Sequence, residues 1–385
     1  MKAVISKEEL VSLIGKIQNI VSTKPAIPVL SNILIEATDD QLILSSTDLT
    51  TSMRSFTEAK VIEEGAIALP ARRFFQLIRE LTSPQVKISC TSPEKAEIVS
   101  GSSLFKLNGV NKDEFPTLPD FANAKQLQLT QSFLKEILSR TAFSAARDDS
   151  RYVLNSLLVQ IYNQQATFTG TDGKRLAKVV TKIDLDTYFQ GNYILPLKAV
   201  EEMIKMLDES IEKACLGLLH DKIFLEHGNT ILITKLLAGQ YPDIERVIPK
   251  SSRINIILHR EELISLLKQV SLFTSESTGS VRFIFDEGQL ELKAVNSDLG
   301  EGTVSMPVDY HEQRLEIAFN PFFFLDILRH SKDETVSFAI NDAYNPGIVT
   351  DSSSALFVIM PMRLNNPPTF SPPGSIDDVE KPVFA

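Results

Sequence analysis

The chain has 385 residues, with 39 Lys and Arg against 49 Asp and Glu, a net charge of −10 and a pI near 5.2. Hydrophobic residues make up 43% and charged residues 23%, so wholesale disorder is excluded and two or three domains are expected, each with its own core. The acidity argues at first against nucleic acid, because a phosphate-binding surface needs Lys and Arg.

In chain order, a first amphipathic helix is marked by Leu10, Leu13, Ile14 and Ile17, at the helical spacing i, i+3, i+4, i+7. Ser6 with Glu9 forms a capping box at its start. A strand-like run at 42–44 precedes the turn Thr47-Asp48. A second helix carries Phe74, Leu77, Ile78 and Leu81 and is entered through Leu69-Pro70. The pattern then recurs. Leu134, Ile137, Leu138 and Thr141 mark a third helix, which Thr130 can cap; a run at 167–169 precedes Thr171-Asp172; Val200, Met203, Ile204 and Leu207 mark a fourth helix behind Leu195-Pro196. It recurs again with Leu263, Leu266, Leu267 and Val270, a run at 290–292 before Asn296-Ser297, and Phe324, Ile327, Leu328 and Ser331 behind Asn320-Pro321.

The opening helices are offset by 124 and 129 residues and the deeper helices by 126 and 124. That period is too long for solenoid repeats of about 20–50 residues, so the chain is read as a triplicated domain. The expected domains are 1–124, 125–251 and 252–364, followed by a tail at 365–385 that holds five prolines and reads as disordered. Each domain is predicted to be α+β, with an antiparallel sheet and two helices, because most strand runs are joined by turns too short for helical crossovers.

No catalytic motif emerges. His220, His227, His259, His311 and His330 have no metal-ligand spacing and read as surface or strand residues. The stretch from Gly170 to Arg175 has two residues between its glycines where a phosphate loop needs four, so Thr171-Asp172 reads as shared turn chemistry. Gly173-Lys174-Arg175-Leu176 is not repeated and points to a local function. The segment 358–364, Val-Ile-Met-Pro-Met-Arg-Leu, reads as a closing core strand or as a partner-binding wall. Cys90 and Cys215 make neither a disulfide framework nor a zinc site and suggest a reducing compartment. No apolar signal core opens the chain, and no run approaches the roughly 18–20 apolar residues of a membrane span. A cytoplasmic protein without metal, cofactor or membrane partner is expected.

The charge is unevenly placed. The six helical regions with their flanking turns sum to +1, so the rest of the chain carries −11. A helical layer facing a polyanion would therefore be far less acidic than the remaining surface.

Four stretches now matter together: Lys24-Pro25-Ala26-Ile27-Pro28-Val29-Leu30, Thr171-Asp172-Gly173-Lys174-Arg175-Leu176, Tyr241-Pro242-Asp243 and Met360-Pro361-Met362-Arg363-Leu364. With three domains of this length, the chain resembles the beta subunit of bacterial DNA polymerase III, the sliding-clamp family, over residues 1–364. The resemblance implies a non-enzymatic processivity factor: a head-to-tail homodimer forming a six-domain ring around duplex DNA, with helices lining the hole. It implies a dimer contact of Phe105 and Leu107 against Leu272 and Phe273. It implies a peptide cleft comprising Leu154, Thr171, Gly173, Lys174, Arg175, Leu176, Pro242, Arg246, Val247, Asn320, Phe323, Val358, Ile359, Met360, Pro361, Met362, Arg363 and Leu364. The replicative polymerase, the clamp loader and repair proteins would insert short peptides with an apolar end and a Gln-like anchor there. Lys174 stands where the family usually has His, and Phe323 where it often has Tyr. Sequence-independent contacts to the duplex backbone would come from Lys24, Arg73, Arg147, Arg151 and Lys198. Two other readings are an α+β cytoplasmic enzyme with a site between domains, and a clamp-like scaffold that binds peptides but not DNA.

Overall fold

A computed structural model describes residues 1–22, 25–119, 124–183, 189–274 and 279–363, apart from the side chain of Thr91. Lys24, Leu364, the tail 365–385 and residues 120–123, just before the expected domain boundary at 124/125, lie outside the described residues. Six α-helices form where the periodicity places them: α1 (Lys7–Ile17), α2 (Ala71–Glu80), α3 (Gln131–Ala142), α4 (Leu197–Met206), α5 (Arg260–Ser271) and α6 (Pro321–His330). The expected stripes of α1 and α3 are buried, and in α1 Leu10, Leu13, Ile14 and Ile17 are all 2% exposed or less. In α5 Leu263, Leu267 and Val270 are buried, but Ile264 is buried in place of the expected Leu266, which is half-buried. Three times the chain runs strand, helix, antiparallel strands, helix, strands.

The helix entrances differ in how they satisfy their free N–H groups. At α1 the capping box forms as expected, with Ser6 Oγ accepting from the Glu9 amide at 3.1 Å and donating to Glu9 Oε2 at 2.7 Å. Thr130 stands at the start of α3, but its side chain makes no cap bond. There the backbone supplies the partners instead: Gln131 N donates to Glu212 O and Ser132 N to Ser210 O, at 2.9 and 3.1 Å. Asn320 caps α6, its Oδ1 accepting from the amides of Phe322 and Phe323.

The chain divides into two compact units. The first holds Met1–Ile248 with Arg329–Asp333 and Ile348–Val358. Its first sheet has five strands and ends on the edge strand Ser103–Asn108. A second sheet of eight strands joins repeats one and two, because Thr230–Lys235 pairs antiparallel with Thr51–Glu58. Buried hydroxyls line that seam: Thr51 and Thr234 lie 3.1 Å apart and Ser55 and Thr230 2.8 Å apart. In a third sheet of this unit, Ser156–Tyr162, Gln165–Thr171 and Arg175–Lys182 run as a meander, and Ala355–Ile359 lies beside the last of them.

The second unit holds Pro249–Leu328, Glu334–Gly347 and residues from Ile359 onward. Ile254–His259 pairs with Thr335–Ile340, and a four-stranded sheet ends on the edge strand Gly300–Pro307. Its core is aromatic: Phe283, Phe319, Phe324 and Phe338 pack with ring centroids 5.0–5.8 Å apart, a spacing at which such pairs add to area burial.

Gly170 is a packing glycine. A Cβ there would sit 2.4 Å from Thr141 O and 2.8 Å from Ser144 Oγ, where α3 ends against the strand. Gly15, inside α1, has open space around its Cβ position. Gly170→Ala should therefore lower the unfolding free energy in a urea titration by about 1–3 kcal/mol. Gly15→Ala should raise it by roughly 0.5–1 kcal/mol through helix propensity. Equal effects would mean that the close approach at Gly170 carries no cost.

Candidate functional site

The shared turn chemistry is real. Asp48 Oδ1 accepts from the amides of Thr50 and Thr51, and Asp172 Oδ1 from those of Lys174 and Arg175. Thr47 and Thr171 hydroxyls accept from the residues two further on, Leu49 and Gly173. In the third repeat Asn296 takes the aspartate's part, accepting from Asp298 and Leu299, one residue earlier than pairing Asn296-Ser297 with Thr-Asp implies. The second residue of the loop is left-handed: Gly173 has φ 83° and Leu49 φ 74°. Glycine adopts this conformation without steric cost; leucine does so at about 1–2 kcal/mol.

At the second of these turns, expected cleft residues of the first unit meet. Leu176 and Val358 are buried in one apolar cluster with Leu158, Ile194, Tyr241 and Ile244, and half-buried Val153, Leu237, Ile248 and Leu356 pack against it. Pro242, Arg246 and Val247 flank Ile244 and are exposed. Arg246 pairs with Asp243 at 2.8 Å. Thr171 is buried, with its hydroxyl donating to Arg175 O at 2.6 Å, and Lys174 is exposed. Leu154 is only 1% exposed; it ends a 3-10 turn and belongs to the interior. Tyr241 belongs to the cluster although only its neighbour Pro242 is among the expected cleft residues. Burial pushes the Tyr241 phenol well above its ordinary pKa, so it stays neutral. The signal was the Tyr-Pro-Asp stretch itself, whose aromatic member is the buried one.

Arg175 is held on several sides. Its Nε donates to Asp172 Oδ2 at 3.1 Å, its Nη2 donates to Phe143 O at 2.9 Å, and its guanidinium lies 5.4 Å from the centre of the Phe143 ring. Arg151, expected at the duplex, instead lies beside this turn: a Cβ on Gly173 would be 3.5 Å from its guanidinium. Asp149 grips Arg151 through both carboxylate oxygens, at 3.0 and 2.8 Å. Those bonds hold the Asp149 carboxyl down to about 2.

Two other cations expected at the duplex are also answered by carboxylates. Arg147 meets Glu201 at 2.8 Å, and Lys198 meets Asp48 at 2.6 Å while donating to Ile20 O. Arg73 is exposed on α2.

In the second unit, Met362 N donates to Ala318 O at 2.7 Å. Ile359 is fully buried and ends the closing strand, while Met360 is 37% exposed. Phe323, Pro361 and Met362 are half-buried and Arg363 is exposed. The segment is thus a core strand up to Ile359 and an open surface after it. Leu272 stands 74% exposed just beyond α5. Phe273 packs on Gly302, in the edge strand, where a Cβ would meet its ring at 2.5 Å. In the first unit, Phe105 and Leu107 lie on the other edge strand, with Phe105 38% and its neighbour Leu104 55% exposed. Each unit therefore carries an edge strand with exposed apolar side chains on it or, in the second unit, close by at Leu272, and an edge strand is a template for pairing with another chain.

One histidine departs from the surface-or-strand expectation. His330 ends α6 and stacks on Phe143, with ring centroids 4.1 Å apart and planes 9° from parallel. Among the described residues, no group of three or more His, Cys, Asp or Glu is placed to hold a metal, and no helix is long and apolar enough to cross a membrane.

A thrice-repeated α+β unit with two bare edge strands is the fold of a sliding clamp. Three family models match in sequence order: the N-terminal, central and C-terminal domains of the DNA polymerase III beta subunit, over residues 1–119, 128–243 and 245–363. The beta sliding clamp of Chlamydia pneumoniae is 55% identical over 366 residues, covering 95% of this chain and all of that protein. Among solved structures, the DNA polymerase sliding clamp from Bacillus subtilis superposes with a TM-score of 0.89 at 25% identity, over 94% of this chain and 99% of that one. The sliding clamp from Bartonella birtlesii bound to griselimycin gives 0.89 at 29% identity, over 94% and 100%. The chain belongs to the DNA polymerase III beta subunit family.

Proposed function

We propose that two copies of this chain close head to tail into a six-domain ring that encircles duplex DNA and tethers the replicative polymerase. The observation that carries the reading is a pair of edge strands, one in each unit: Ser103–Asn108, with Leu104 and Phe105 exposed on it, and Gly300–Pro307, with exposed Leu272 close by at the end of α5. Unlike ends that meet by a closing rotation make a ring without leaving an edge unpaired. Phe105 and Leu107 of one copy would face Leu272 and Phe273 of the next. The domains run 1–124, 125–251 and 252–364.

The hold on DNA is loose by construction. Arg147, Arg151 and Lys198 each have a carboxylate partner, so few charges are left to bind phosphate tightly, while an acidic exterior keeps the duplex off the outside. Retention comes from topology and not from affinity. The clamp loader, the polymerase and repair proteins dock short peptides on the apolar cluster around Leu176, Tyr241, Ile244 and Val358, with Arg175 at its rim. Met360, Pro361 and Met362 belong to the same expectation, and griselimycin binding by the Bartonella relative supports it. The chain works in the cytoplasm, without metal or cofactor, and catalyses nothing itself.

The test is loading onto a nicked circular plasmid followed by gel filtration at about 0.15 M salt, where exposed ionic contacts are largely screened. The protein should co-elute with the circle and be released when one restriction cut makes the DNA linear. Retention that survives linearisation would replace topological linkage with direct binding.

A further inference from the structure

We infer that Phe143 and His330 are positioning residues for Arg175, holding its guanidinium ready for the docking peptide; the inference rests on the peptide-cleft reading above. Arg175 belongs to the stretch Gly173-Lys174-Arg175-Leu176, which the other two repeats lack, and its side chain is only 11% exposed. An arginine has many rotamers, and freezing them on binding weakens affinity. Here they are frozen beforehand. Asp172 takes Nε, and the Phe143 carbonyl takes Nη2. The Phe143 ring offers its π-face to the guanidinium.

That ring needs support of its own, because Phe143 sits just past the last residue of α3, where a helix frays. His330 provides it. A near-parallel imidazole 4.1 Å away covers one face of the ring and restricts its rotation. Phe357 closes the edge at 5.9 Å. His330 is fixed in turn, since Arg140 Nε donates to its carbonyl at 2.9 Å. Arg175, Phe143 and His330 follow one another through ring contacts, and Arg140, 190 residues from His330 in sequence, ties down the backbone at its end. A flat ring at position 330 is what the stack requires; no proton transfer is involved.

The experiment uses the full chain and a fluorescein-labelled synthetic peptide with a glutamine anchor and a Leu-Phe end. His330→Ala should weaken the peptide about 3- to 10-fold, the scale of losing one ring contact. His330→Phe, which keeps a flat ring, should restore binding to within about twofold of the natural chain. In an Arg175→Ala background His330→Ala should change affinity less than about twofold, because the residue it positions is gone. Should His330→Ala not fold, His330→Leu takes its place with the same expectations. Unchanged affinity in His330→Ala, no rescue by His330→Phe, or the same loss with and without Arg175 would each overturn the inference. If Arg175→Ala itself binds like the natural chain, the cleft reading falls instead, and the two failures are told apart by that single control.

Discussion

Leu272→Ala combined with Phe273→Ala is expected to turn the dimer into a monomer. Leu272 is 74% exposed in the isolated chain, next to Phe273, which packs on the edge strand at Gly302, and the ring reading places the partner copy there. Truncating a buried Leu or Phe costs about 2–5 kcal/mol, so the pair removes at least roughly 4 kcal/mol. That is about three decades in dissociation constant. Native mass spectrometry at micromolar protein should show the single-chain mass in place of the doubled one. The melting transition should barely move, because neither side chain is central to the protomer core. A dimer that persists would place the contact on other residues, with Leu104, 55% exposed on the opposite edge strand, the first to examine.

The second large effect is expected on stability, at a buried ion pair. Asp351 is fully buried and forms an ion pair with Arg140, itself 6% exposed. Arg140 also donates to Ser353 Oγ at 2.6 Å and lies over the Phe357 ring. Asp351 accepts from the Lys332 amide at 2.9 Å and the Ser353 amide at 3.0 Å. Removing one partner of a buried pair strands the other charge and costs about 3–5 kcal/mol. Asp351→Ala should therefore lower the melting temperature of the first unit by of order 10 °C. Replacing both residues, Arg140→Leu with Asp351→Leu, should recover much of the loss, since a well-packed apolar pair replaces a buried ion pair at little cost. A double variant as unstable as Asp351→Ala alone would mean that the hydrogen bonds, and not the stranded charge, set the effect. Calorimetry on the two variants decides.

Local patterns were legible because their physics is local. The stripe Leu10, Leu13, Ile14, Ile17 lies on one helix face whatever surrounds it, and burial follows from that face alone. Ser6 and Glu9 sit three residues apart, the reach of a capping box. The Thr-Asp turns are closed by bonds spanning two or three residues, and so the repeat could be read through them. The bare edge strands could not be read this way: a strand becomes an edge only by the sheet order.

The misses share one cause. Thr130 looked like the cap of α3, but the bonds came from Glu212 and Ser210, some 80 residues away, and no window of sequence contains that pairing. Arg140 carried no signal in the sequence, because its partner Asp351 stands 211 residues on. Arg151, expected at the duplex backbone, is paired with Asp149 and lies beside the turn at Gly173, a placement its own sequence neighbourhood does not signal. Gly170 looked like half of a failed phosphate loop, whereas the end of α3 leaves it no room for a side chain.

What the sequence determined by itself is periodicity and composition: six helices, three repeats of about 125 residues, helical regions near neutral and the acidity in the rest of the chain. These depend on neighbours three or four places apart and on simple counting. Only the tertiary structure decided which charges are paired, which glycines are crowded, which strands are left bare and which aromatic ring supports Arg175. Those are contacts between residues far apart in the chain, and their energies exist only once the backbone has brought the partners within a few ångströms.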